Sequence, residues 1–177
     1  MNDMMSWRVQ SPESMGFHSV ITPDTAACQV AQMFRLNLPK GASYHLQDDE
    51  RELHAVLIQG RAVVEQDALG KVPLEKFDSF YIPAQHSIQI TALEECIFYI
   101  AGAVFDGIGD PLIRKFDRSL PLGDIHQIHG DGTSRREVMF TLAPTDKASR
   151  LICGLTWGGE GAWTSWPPHQ HCLLYTS

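Results

Sequence analysis

Between Cys28 and Val104 apolar and polar residues alternate in short runs separated by glycine and proline. Val30, Phe34, Leu36 and Leu38 share one parity, the signature of a half-buried strand. Pro39-Lys40-Gly41 ends that run in a turn. Ala55–Gln59 and Ala62–Glu65 are rich in β-branched residues and pivot at Gly60. Phe77–Ile82 is stopped by Pro83, Ile88 and Ile90 alternate with polar neighbours, and Cys96–Val104 suits a central strand. A shorter strand is expected at Phe17–Ile21. Strands recurring every roughly 8–12 residues predict a sandwich or barrel. With no amphipathic helix longer than about 10 residues, a parallel α/β sheet is not expected. The predicted interior over about 25–105 includes Phe34, Leu36, Val56, Ile58, Val63, Phe80, Ile90, Phe98 and Ile100.

The pattern breaks from Asp106 to Ser134, where Gly107, Gly109, Pro111, Pro121, Gly123, Gly130 and Gly132 interrupt any alternation. This stretch is expected to be a connection, with His126 and His129 as solvated residues on it. Strands resume at Val138–Leu142 and Leu151–Thr156, followed by a turn over Trp157–Gly161. The division expected is a first unit over 1–110, a linker over 111–134 and the beginning of a second unit over 135–177.

Composition narrows the class. The 177 residues are 44% hydrophobic and 20% charged, ordinary for a soluble globular protein. A net charge of −7 argues against a general nucleic-acid surface. Cys28, Cys96, Cys153 and Cys172 have no CxxC spacing and read as reduced residues. No apolar signal core or membrane-length run is present, so the cytoplasm is the expected compartment, with no membrane partner.

One stretch carries candidate chemistry. Gly161 to His171 ends in His169 and His171, which share a face if the segment is a strand. Two imidazoles on one face can converge on a divalent ion such as zinc, although a metal site needs further ligands. Pro167 and Pro168 suit the start of such a strand.

The wider pattern is Gly161-x-Trp163 and Pro167-Pro168-His169-x-His171, preceded by Arg135-Arg136-Glu137-Val138 and Leu151-Ile152-Cys153-Gly154-Leu155-Thr156. It resembles the metal-site region of the 5-deoxyglucuronate isomerases of inositol breakdown, which are related to the 5-keto-4-deoxyuronate isomerases. The resemblance is most specific over 130–171 and looser over about 25–105. It implies an all-β fold of two cupin (jelly-roll) barrels, the first complete and the second only begun. Gly41-x3-His45, Glu52 and Gly60 resemble a first cupin motif, and Pro83 to Ser87 a second. Gln47 and Ile88 stand where further histidines would be, leaving His45 and Glu52. The first half therefore reads as a barrel without metal, and His54 and His86 as polar strand or turn residues.

The resemblance also implies an activity: metal-dependent aldose–ketose isomerisation of 5-deoxyglucuronate to 2-deoxy-5-ketogluconate. The metal, a divalent ion such as zinc, would take His169 and His171 as ligands. Arg135 and Arg136 are candidates to hold the substrate carboxylate, and no catalytic base is identified. The family's later glutamate and histidine ligands have no counterpart after His171, and Cys172–Ser177 reads as a foreign end on a truncated gene. This chain by itself is expected to be inactive and prone to self-association through open barrel edges. Other expectations are a non-catalytic sugar-binding cupin or another metal-dependent cupin enzyme such as a dioxygenase.

Overall fold

The structure, a computed structural model, describes residues 9–26 and 28–162. The first 100 or so residues form nine strands: β1 (Gly16–Ile21), β2 (Ala31–Leu38), β3 (Ser43–Gln47), β4 (Arg51–Gln59), β5 (Ala62–Gln66), β6 (Gly70–Leu74), β7 (Ser79–Ile82), β8 (Ser87–Ala92) and β9 (Cys96–Val104). Four more follow: β10 (Leu112–Arg114), β11 (His126–His129), β12 (Arg136–Leu142) and β13 (Cys153–Gly158). All the strand pairs between them are antiparallel.

Two sheets make the barrel. One runs β1-β2-β9-β4-β7-β10 and the other β3-β8-β5-β6. The interior between them is hydrocarbon: Leu36, Ala55, Leu57, Ala62, Val64, Ile90, Cys96, Phe98 and Ile100 are fully buried, joined by Leu38, Leu46, Leu53, Leu74, Phe80, Ile82 and Ile88. Such a core forms because alternate residues of each strand leave water on the same side. Gly60 permits the sharp turn from β4 to β5. Its φ is +85°, and a Cβ there would lie 2.1 Å from the Glu95 carbonyl oxygen.

Three expected interior residues are not in this core. Val56, Ile58 and Val63 are half-buried, while Leu53, Ala55, Leu57, Ala62 and Val64 point inward. A choice of parity one residue off turns every side chain to the other face. A register shift between Leu57 and Gln59 adds to the error, because it leaves Ile58 outside the alternation.

The segment 111–134 holds strands where a plain connection was expected. β10 joins the edge of the barrel sheet beside β7, and β11 pairs with β12. Strands of three and four residues are too short to display a period, and the partner of β10 lies far away in sequence. His126 is also buried to 9% exposure, whereas His129 is exposed as expected. β11, β12 and β13 form a third sheet, packed against the outer face of the barrel.

Candidate functional site

His169 and His171 lie outside the described residues, as does the Trp163–Pro168 stretch before them. The chain that leads there is described. β13 ends at Gly158, and a turn closed by the Ala162 amide on the Gly159 carbonyl follows, with Gly161 at φ +70°. Arg136 opens β12, directly opposite His129 on β11 and Gly158 on β13. By strand alternation it shares a face with Val138 and Phe140. Arg135 is exposed at the end of a single 3-10 turn over Gly132–Ser134. Neither arginine is in an ion pair among the described residues.

The other face of this sheet carries a charged and aromatic cluster. Nδ1 of His126 lies 2.7 Å from the Leu120 carbonyl and donates to it. Its Nε2 lies 3.0 Å from a Glu137 carboxylate oxygen, but off the line that a hydrogen bond requires. Arg118 pairs with Glu137, and this hydrogen bond holds the Glu137 carboxyl below its usual range. The Arg118 guanidinium stacks over Trp157 at 5.1 Å, and Trp157 meets Phe116 and Phe77 at 5.6 and 6.0 Å. Phe77 belongs to the barrel's β6–β7 turn and has φ +75°, a left-handed conformation unusual for an aromatic residue. This cluster fastens β13 to the barrel.

The residues of the first cupin motif do not converge. His45 is exposed on β3, in the four-stranded sheet. Glu52 is on β4 in the other sheet and faces away from the barrel interior, where Leu53 takes the inward position. Its carboxylate is completely buried and already satisfied. One oxygen accepts from the Tyr81 hydroxyl at 2.7 Å and the Ser149 amide at 2.8 Å. The other accepts from the amides of Arg150 at 2.6 Å and Leu151 at 2.8 Å. A buried carboxylate without a cation is costly only when it lacks donors, and this one has four. The residues present in the first half therefore do not fit a metal. Among the described residues no three His, Cys, Asp or Glu side chains come together as a metal site.

Sequence reasoning missed this buried junction. Beside Glu52 on the same face of β4 lies His54, 2% exposed, with its Nε2 unpartnered among the described residues. Burial lowers its pKa to about 4, against the opposing pull of the Thr141 carbonyl, so the ring is neutral near pH 7. Ser79 donates to the same carbonyl at 3.3 Å. Arg114 on β10 grips Asp146 with two hydrogen bonds of 2.8 Å, and Asp146 also accepts from the Ala143 amide at 2.6 Å. Burial raises the Asp146 pKa, but those bonds outweigh it and the net shift is downward. The signal available in the sequence was Glu52 and His54 at i and i+2 in an otherwise apolar run: two polar residues on one strand face call for polar partners.

The two facing sheets define an all-β barrel protein. The KduI/IolB family profile matches residues 7–172, and the chain belongs to that family. Two curated relatives are each named 5-deoxy-glucuronate isomerase. The one from Geobacillus kaustophilus is 26% identical over 171 residues, and the one from Geobacillus thermodenitrificans 24% over 174. Each alignment covers 91% of this chain and 60% of the relative, so the chain spans about 60% of their length. The crystal structure of an IolB-like protein from Salmonella typhimurium superposes with a TM-score of 0.73 at 21% identity, over 90% of this chain and 62% of that one. That likeness speaks for the fold. No helix among the described residues is long and apolar enough to cross a membrane.

Proposed function

We propose that the protein carrying this chain is a metal-dependent aldose–ketose isomerase that converts 5-deoxyglucuronate to 2-deoxy-5-ketogluconate. The observation that carries this reading is the family match over 7–172, with relatives named for that isomerase. The reaction moves a proton between neighbouring carbons and places charge on two adjacent oxygens. A bound zinc-like ion supplies Lewis-acid stabilisation of that charge.

His169 and His171 would supply two imidazole nitrogens, a donor set suited to such an ion but one ligand short of an ordinary catalytic site. Arg136, on the β12 face that carries Val138 and Phe140, and Arg135 are the candidates to hold the substrate carboxylate through a bidentate contact. Arg135 sits in the turn before it. The barrel of β1–β9 contributes no reacting group in this reading. Its packed hydrocarbon interior leaves no place for a polar sugar acid.

The test is a coupled assay with 5-deoxyglucuronate on a purified version of the protein extended to the full length of its relatives, monitoring the ketose product with and without added zinc. Zinc-stimulated turnover that is lost in His169→Ala and weakened at the KM level in Arg136→Ala supports the proposal. Oxygen uptake instead of isomerisation would replace it with a dioxygenase, and uronate binding with no turnover in any metal would replace it with a sugar-binding cupin.

A further inference from the structure

We propose that Glu52 is a positioning residue: its carboxylate transmits the geometry of the barrel to β13, and through β13 to the turn that leads into the His169–His171 segment. The last step rests on the metal reading above. The first does not.

Glu52 is the second residue of β4, an interior strand of the six-stranded sheet, yet on that sheet's outer face, opposite Ala103 of β9. An apolar residue would be the simple choice for a site with no solvent exposure. A carboxylate is tolerable there only with a full set of donors. Three of its four donors are successive backbone amides, Ser149, Arg150 and Leu151, converging as the main chain does around a bound anion. Successive amides can point at one centre only in a particular backbone conformation, so the carboxylate specifies the shape of this loop. The loop joins β12 to β13, and β13 begins two residues later at Cys153.

The remaining ties on the loop are more exposed than Glu52, the partly buried Arg114–Asp146 pair included. Ser149 Oγ donates to the Ile108 carbonyl at 2.7 Å and accepts from the Asp106 amide at 3.1 Å. Arg150 pairs with Asp106, and Lys147 with Asp110, at surface positions worth little. Tyr81 stands behind the carboxylate, on the neighbouring β7, and fixes its rotamer. Glu52 is thus the buried centre of the attachment, and the first half's would-be metal ligand serves the second half as an internal anion.

Amide hydrogen exchange on the full 177-residue chain tests this, with Glu52→Gln compared with Glu50→Gln, an exposed neighbour. Glutamine keeps the size but turns an NH2 group toward amide donors. Exchange across 149–153 should accelerate by about tenfold or more in Glu52→Gln, as expected for loss of hydrogen bonds to a charged group. β2 and β9 should keep their protection, and Cys153 should become open to a thiol reagent, read by peptide mass spectrometry. Unchanged exchange at 149–153, or loss spread evenly over β2 and β9, would overturn the proposal. If Glu52→Gln does not fold, Tyr81→Phe removes one donor and spares the carboxylate. A smaller acceleration confined to the same peptide supports the proposal, and none overturns it. Zinc titration separates the two readings. Weakened binding in both His169→Ala and Glu52→Gln supports the whole chain of positioning. Weakening in His169→Ala alone shows that the clamp does not reach the histidine segment. No change in either removes the metal reading and leaves the clamp to stand or fall on exchange.

Discussion

The barrel and the three-stranded sheet are held by different physics. In the barrel the interior of β2, β4, β8 and β9 is continuous hydrocarbon, and the stabilisation is non-directional and proportional to area. β13 is the opposite case. Cys153, Leu155 and Trp157 are half-buried, and Gly154, Thr156 and Gly158 are exposed. What fixes that sheet is directed: four donors on Glu52, two bonds from Arg114 to Asp146, and the Trp157 cluster. Burial of hydrocarbon does not depend on particular donor–acceptor lines, whereas a hydrogen-bonded junction permits few geometries. The difference suggests a division of labour between a stable support and a part whose placement has to be accurate.

The largest effect should come from the barrel. Phe98→Ala, at a fully buried position packed against Phe80, should cost about 3–5 kcal/mol in chemical denaturation. Because the junction rests on the barrel, protection of β13 should fall with it. If β13 kept its protection while β2 and β9 lost theirs, the barrel would not be the support.

Next is a pH effect located at the junction. His54 is neutral in the fold, its pKa lowered from 6.5 to about 4 by burial, with Arg114 and Asp146 acting weakly in opposite directions. The unfolded chain binds the proton more readily, so stability is full above about pH 6.5 and declines as pH falls toward 4. The loss should reach about 3 kcal/mol at the low end. Melting curves between pH 7.5 and 4.5 should show this slope, and His54→Phe should flatten it.

Arg114→Ala strips Asp146 of two charged hydrogen bonds in a partly buried setting and should cost about 1.5–3 kcal/mol. A double-mutant cycle with Asp146→Asn checks that the loss belongs to the pair. Arg61→Ala breaks an exposed pair with Glu94 on the barrel surface and should leave the melting curve unchanged.

The same contrast explains what could be read from the chain alone. Phe34, Leu36, Phe80, Ile90, Phe98 and Ile100 are interior as their alternation predicts, because burial of one strand face writes a period of two into the sequence. Val56 and Ile58 misled because the outer face of β4 is itself covered, so both parities of that strand are apolar. β10 and β11 left no signal, since three or four residues cannot show a period. The junction was invisible for another reason. Glu52 finds three of its four partners 97 to 99 positions away and on backbone amides, which carry no residue identity. β12 starts at Arg136, two residues before the expected strand at Val138–Leu142, while the burial of His126 depended on a β11–β12 pairing that no local pattern announces.

In the proposed function the barrel supports and the second half does the chemistry. Zinc affinity of the full chain, measured for His45→Ala, His169→Ala and His171→Ala in parallel, tests it most directly. Loss of a group that only hydrogen-bonds a metal ligand costs about 10–100-fold in metal affinity, so removing either ligand should cost at least about tenfold. His45→Ala should leave the affinity unchanged. Equal binding in His169→Ala and His171→Ala, or a loss confined to His45→Ala, would contradict the account.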